Sequence, residues 1–284
     1  MVSPSICVVD MYTPRNFAQD CAHSQANGPL RLGVVSYLNS RPLVEFLPEV
    51  LPEAVLRFDT PARLSDQLAA GEIDVGLVPV VEWFRHPEWC PLSDACIACR
   101  GPVRSVVLLG RKDLSEIRTL AADISSRTSI ALTRLLLQER FGISPVVIPL
   151  PLETPPQRVE TDAVLLIGDR AIGYACDGWP FVWDLGQLWT NWTGLPFVFA
   201  LWLGRPEVKC EKLNRLLALA RDIGLERIDE ICQRHAGQVG WSISECKHYL
   251  RDNLWFYLDD DTVRGLELFR TLVTSRRILE YSSS

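Results

Sequence analysis

From Leu30 onward, short β-branched runs alternate with stretches of helical periodicity. Leu32–Val35 is predicted as a strand, and so are Val55–Phe58, Ile73–Val80 and Val103–Leu109. Between the second and third, "DTPARLSDQLAAG" predicts a helix, with Thr60 as N-cap, Pro61 at the first helical position and Gly71 at its end. "SSRTSIALTRLLLQERFG" predicts another, capped by Ser125 or Ser126 and left through Gly142. "PVVIPL" and "DAVLLIG" are further strands, and "LPFVFALWLG" is a long apolar one. After Lys209 the spacing of Leu213, Leu216, Leu217, Ala220 and Ile223 predicts helix throughout. No internal repeat interrupts the series.

This alternation is that of an α/β protein. It falls into blocks, because the apolar runs Val103–Leu109 and Leu195–Leu203 bracket the middle of the chain. The outline is a two-lobed protein whose middle lobe is inserted and joined by two crossing strands. The expected division is residues 30–102 with 200–284 as one lobe and 103–199 as the other. Such an arrangement leaves a cleft between lobes. Ligands of open α/β sheets sit beyond the carboxyl ends of strands, so polar residues just after strands are the candidates.

Length and composition narrow the picture. A chain of 284 residues with 48% hydrophobic and 23% charged residues is an ordinary globular protein. Its formal charge of −6 and the absence of a Lys/Arg cluster speak against nucleic acid and against an anionic membrane surface. No apolar stretch approaches the roughly 18 residues of a membrane helix. Residues 1–29 lack hydrophobic periodicity and a signal-peptide pattern, so a flexible extension and a cytoplasmic location are expected. In that compartment the nine cysteines are reduced thiols. Cys96 and Cys99 have C-x-x-C spacing beside His86 and Cys90, yet no second pair completes a metal set and none is expected. The tryptophans of "WPFVWDLGQLWTNW" are assigned to packing, and "LFRTLVTSRRILEY" to a terminal helix docked on the first lobe.

Four places could carry chemistry. Ser36 and Asn39 follow the strand Leu32–Val35, where they either line a cleft or merely make a turn. Tyr37 and Leu38 are assigned to packing. At the start of the helix after "LAADI", Ser126, Arg127, Thr128 and Ser129 combine hydroxyls, a cation and unpaired N–H groups. They read either as an anion site or as plain capping. Ser105 is a lone hydroxyl on the apolar face of Val103 and Val107, with Arg104 on the opposite face. Asp169 ends a buried strand and is either a proton acceptor or a structural partner.

Six segments in this order resemble the motifs of the chorismate dehydratase family of the futalosine route to menaquinone. They are "GVVSYLNSRPL", "GEIDVGLVPVVEW", "CRGPVRSVVLLGR", "DISSRTSIALTRLLLQERFG", "DAVLLIGDRA" and "DLGQLWTNWTGLPFVFALW". The resemblance covers Leu30 to Leu203. It implies the two-lobed fold of type II periplasmic binding proteins and a hydro-lyase that turns chorismate into 3-[(1-carboxyvinyl)oxy]benzoate without metal or organic cofactor. Weighed with that resemblance, Asn39, Ser105 and Asp169 are the candidates for catalysis, and Ser36, Ser126, Arg127, Thr128 and Ser129 for contact with the substrate. That substrate is the chorismate dianion, and a monomer and a homodimer are both open. The base is either Asp169 or the substrate's own enolpyruvyl carboxylate. Two other functions share these features: a cytoplasmic sensor of small anions, and a sister enzyme acting on cyclic futalosine, which would need a histidine in its cleft.

Overall fold

The computed structural model describes residues 28–174, 176–208 and 211–281, so the expected N-terminal extension lies almost wholly outside the described residues. In chain order the strands are β1 (Arg31–Val35), β2 (Val55–Asp59), β3 (Val75–Pro79), β4 (Cys90–Cys99), β5 (Val106–Gly110) and β6 (Thr119–Asp123). β7 (Val146–Leu150), β8 (Ala163–Ile167), β9 (Phe181–Asp184), β10 (Phe197–Gly204) and β11 (Leu254–Tyr257) follow. They form two sheets, ordered β11-β4-β10-β3-β1-β2 and β7-β6-β8-β5-β9. In the first sheet β1 runs parallel to β2 and β3, while β10 is antiparallel to β3 and β4. In the second, β6 runs parallel to β7 and β8, and β5 is antiparallel to β8 and β9. The chain passes from one sheet to the other through residues 100–105, and returns through the helix Leu185–Thr193.

Burial explains which strands the sequence announces. β3, β8 and β10 are buried along their whole length, so they are continuous apolar runs. β4 was hidden from the pattern, because Ser93 has φ 64° and its pairing with β10 carries bulges that break the alternation. The region after Lys209 is not wholly helical. A π-helical turn, Tyr249–Asn253, delivers the four-residue β11 to the edge of β4, too short a strand to show periodicity. β5 begins at Val106 rather than Val103, since Arg104 sits at φ 60° and breaks the extended backbone.

The helix Pro61–Ala69 starts at Pro61, although Thr60 makes no side-chain cap bond. The helix Arg127–Phe141 is capped by Ser126, which accepts from the Ser129 N–H, and closes on Gly142 at φ 66°. The helix Asp260–Ser275 docks on β10. Its Phe269 ring lies 4.8 Å from Phe197 and 5.9 Å from Trp189. Among the described residues, no helix is long and apolar enough to cross a membrane.

Candidate active site

The loop after β1 is held by its own side chains. Ser40, fully buried, donates through Oγ to the Val35 carbonyl at 2.6 Å and to that of Tyr37 at 2.8 Å. Arg41 donates to the Ser36 carbonyl at 2.9 Å, so Ser36 serves the turn through its backbone. The loop thus points Asn39 inward, and Asn39 Oδ1 is buried without a hydrogen-bond partner. Buried amide oxygens are almost always paired, so an unpaired one in a cavity is a waiting acceptor.

That cavity holds about 480 Å³ of empty space, part of it open to solvent. Asn39 and Tyr37 line it from the β1 loop, Ser126 and Ser129 from a helix start, and Ser105 and Gly168 from the second sheet's end. Phe199, Ala200, Ile97 and Pro79 supply an apolar floor from the first sheet. The site therefore lies between the two sheets, beyond the carboxyl ends of β1, β3 and β8. Its lining contains no carboxylate, no histidine and no Lys or Arg among the described residues. Burial pushes the Tyr37 phenol up to about 12, helped by the charges of Asp123 and Asp169, so it stays protonated.

At the helix start the four candidates separate. Ser126 Oγ donates to Ser129 Oγ at 2.8 Å, and both hydroxyls line the cavity. Thr128 does not; it is fully buried, and its Oγ1 accepts from the Val81 N–H at 3.4 Å. Arg127 is also occupied elsewhere, bonded to Glu82 at 3.1 Å and Asp66 at 2.6 Å. Glu82 is buried and needs that cation, so the anion-binding potential here belongs to hydroxyls and N–H groups, not to Arg127. These bonds, with the Ala62 N–H donating to the Ser125 carbonyl at 3.1 Å, tie this helix start to the helices Pro61–Ala69 and Val80–Arg85.

Ser105 faces the cavity, but not through strand alternation. Asp184 accepts from the Val103 N–H at 2.9 Å and the Arg104 N–H at 2.6 Å, which fixes the bend that turns Ser105 inward. Arg104 points away, its guanidinium 4.7 Å above the Trp241 ring. Asp169 lies outside the lining. Its Oδ1 accepts from the Leu38 N–H at 2.8 Å, a bond from the second sheet to the loop carrying Asn39. Burial raises the Asp169 pKa despite that bond and the nearby charges of Arg41 and His235. Next to it Gly168, at φ 59°, lets the Tyr37 ring close in; a Cβ there would lie 2.7 Å from that ring.

Sequence reasoning assigned Tyr37 to packing and passed over Ser40. Tyr37 does pack against the core, and its ring lines the cavity as well; a serine that bonds its own turn resembles any other. A second cavity of about 620 Å³ lies between the helices Arg127–Phe141 and Leu185–Thr193. Leucines, Phe141 and Trp192 dominate it, with Thr133, Arg140 and Asn191 as its polar members, and it lies away from the carboxyl ends of β1 and β3.

The family model described as menaquinone biosynthesis matches residues 30–275. The chain is 34% identical to chorismate dehydratase of Thermus thermophilus over 263 residues, 85% of this chain and 94% of that one. Among solved structures, it is similar to a protein of Archaeoglobus fulgidus (TM-score 0.71, 16% identity, 88% of this chain and 98% of that one). It is also similar to the alkanesulfonate-binding protein SsuA of Xanthomonas axonopodis, solved with MOPS (TM-score 0.62, 15% identity, 89% and 96%). A Candida albicans protein with the generic periplasmic binding protein fold aligns at TM-score 0.56 with 13% identity, over 89% and 94%. With two sheets flanking a polar cavity and a match over nearly its whole described length, this chain belongs to the menaquinone-biosynthesis family that includes chorismate dehydratase, built on the periplasmic-binding-protein fold.

Proposed function

We propose that this protein dehydrates chorismate to 3-[(1-carboxyvinyl)oxy]benzoate, a hydro-lyase step of menaquinone biosynthesis. One observation carries the reading: an unpaired Asn39 Oδ1 in a cavity whose lining holds hydroxyls and no charge. A dianion carrying its own carboxylates and a leaving hydroxyl fits such a site. The Ser126–Ser129 helix start takes one carboxylate, at roughly 1.5–3 kcal/mol per charge-assisted hydrogen bond. The Asn39 amide takes a second group, accepting through Oδ1 from a substrate hydroxyl.

The chemistry is an elimination. Removing the proton at C3 of chorismate leaves a carbanion that spreads through the diene onto the ring carboxylate. Loss of the C4 hydroxyl then makes the ring aromatic. With no carboxylate or histidine in the lining and Tyr37 held protonated, the base is the substrate's enolpyruvyl carboxylate. It accepts the C3 proton, which leaves with the C4 hydroxyl as water. Asn39 and Ser105 hold the reacting groups, and Asp169 acts on the loop rather than on the substrate. The missing histidine also argues against the sister reaction on cyclic futalosine. The division of the chain into residues 30–102 with 200–284 and 103–199, a cytoplasmic location and a monomeric or homodimeric state belong to the same reading.

Incubation with chorismate, followed by ultraviolet absorbance, tests it. Growth of an aromatic carboxylate band is expected. Tight binding with no product would leave the small-anion sensor instead.

A further inference from the structure

One irregularity in the first sheet lies directly under the cavity. Along β10, Val198 pairs with Ala98 of β4 and Ala200 with Ile97, so Phe199 is an extra residue with no partner on β4. On the other side, pairing with β3 begins only at Ala200, opposite Pro79. Successive residues of a regular strand face opposite sides, yet Phe199 and Ala200 both line the cavity. The bulge is the cause, since one extra residue re-aims a side chain, a device found beside active sites. The ring it turns inward is held in place. It meets the Phe197 ring edge-on at 4.7 Å, and Phe197 packs in turn at 5.3 Å against Trp189 and at 4.8 Å against Phe269. Ala200, a single methyl, leaves room beside it. Tyr37, the other aromatic ring of the lining, is packed over Gly168.

We infer that Phe199 is a specificity-determining residue for the dehydration, its bulged ring the apolar surface against which the flat face of the substrate's ring is laid. The inference rests on the chorismate reading. Chorismate has two tetrahedral ring carbons, C3 and C4, and both become trigonal when the C3 proton and the C4 hydroxyl leave as water. A flat apolar surface gains contact as the ring flattens and becomes aromatic. Phe199 therefore favours the transition state and the product over the puckered substrate, which is where binding contributes to rate. Because the Phe197 stack already fixes the ring, little ordering is left for the ligand to impose.

Calorimetry with 3-[(1-carboxyvinyl)oxy]benzoate and steady-state turnover of chorismate test the inference on the wild type and Phe199→Leu, with melting temperatures measured alongside. Leucine keeps apolar bulk and removes the ring. In Phe199→Leu the Kd for the aromatic product is expected to rise about tenfold, equivalent to about 1.4 kcal/mol. There kcat/KM should fall about fivefold, with KM within about threefold of wild type. Phe199→Met, which also lacks a ring and fills more of its volume, gives the same readout if the leucine variant does not fold. Undiminished product affinity overturns the inference, and so does an equal loss of affinity for chorismate and product, which marks general damage to the cavity. A wild type that does not turn over chorismate overturns the dehydratase reading itself, and this inference with it.

Discussion

Replacing Asp169 by asparagine separates the two roles open to this residue. As a proton acceptor its loss would remove general-base catalysis, typically a factor of about 10²–10⁴. As a tether it needs only an oxygen facing the Leu38 N–H, now 2.8 Å away, and the asparagine amide oxygen supplies one. Exchanging a charged for a neutral acceptor weakens that bond by about 1 kcal/mol, and the neutral amide no longer bears the cost of burying a charge. The two effects oppose each other, so kcat/KM of Asp169→Asn is expected within about fivefold of wild type, about 1 kcal/mol. Stability gives a second readout. Burial raises the Asp169 pKa, so the folded protein holds this proton more tightly than the unfolded chain does. The residue's contribution to stability is therefore greatest in acid and falls as pH rises through its folded pKa. Denaturant unfolding at pH 4.5 and 8 should show Asp169→Asn gaining on wild type at the higher pH. Asp169→Ala, by contrast, strands the Leu38 N–H and frees the Asn39 loop, at about 1–3 kcal/mol. A folded Asp169→Asn protein slowed a thousandfold would refute the tether and restore the carboxylate as base.

Other positions give independent checks. Gly168→Ala drives a Cβ to 2.7 Å from the Tyr37 ring at φ 59°, so chorismate turnover and thermal stability should both fall. Ser126→Ala removes the cap of the helix Arg127–Phe141 and should cost about 1 kcal/mol in denaturant unfolding, with a raised KM. Arg127→Ala leaves buried Glu82 with Arg85 alone, at 3.1 Å; a stability loss of about 1–3 kcal/mol is expected, with a smaller change in KM than Ser126→Ala gives. Burial works to raise the Asp162 pKa, but Lys112 and the Arg118 and Thr119 N–H groups overcome it and bring it down to about 2. Its stabilisation of about 2 kcal/mol is therefore present above pH 4 and lost as pH falls through about 2. Asp162→Asn should flatten that acid limb in unfolding titrations.

The strands legible in the sequence are the ones buried on both faces. β3, β8 and β10 announce themselves because no polar residue interrupts them. β4 and β11 do not, since bulges and a π-helical turn set their pairing, and both are tertiary events. The lining of the candidate cavity was legible where a short polar segment follows a strand or opens a helix, as at Asn39, Ser126 and Ser129. Arg127 and Thr128 share that segment, but helical geometry turns them toward Glu82 and Val81. Ser105 was reached through an argument from strand alternation that the bend at Arg104 invalidates; Asp184, 79 positions from Ser105, does the positioning.

On the proposed dehydratase reading, an uncharged cavity grips a doubly negative ring and leaves proton removal to the substrate itself. A crystal structure with 3-[(1-carboxyvinyl)oxy]benzoate bound tests it most directly. One carboxylate should lie against Ser126 and Ser129 at the helix start, with the Asn39 amide in contact with the ligand and no protein carboxylate near the former C3. A ligand seated in the leucine-lined cavity between the two helices, or one with Asp169 against its C3, would contradict the account.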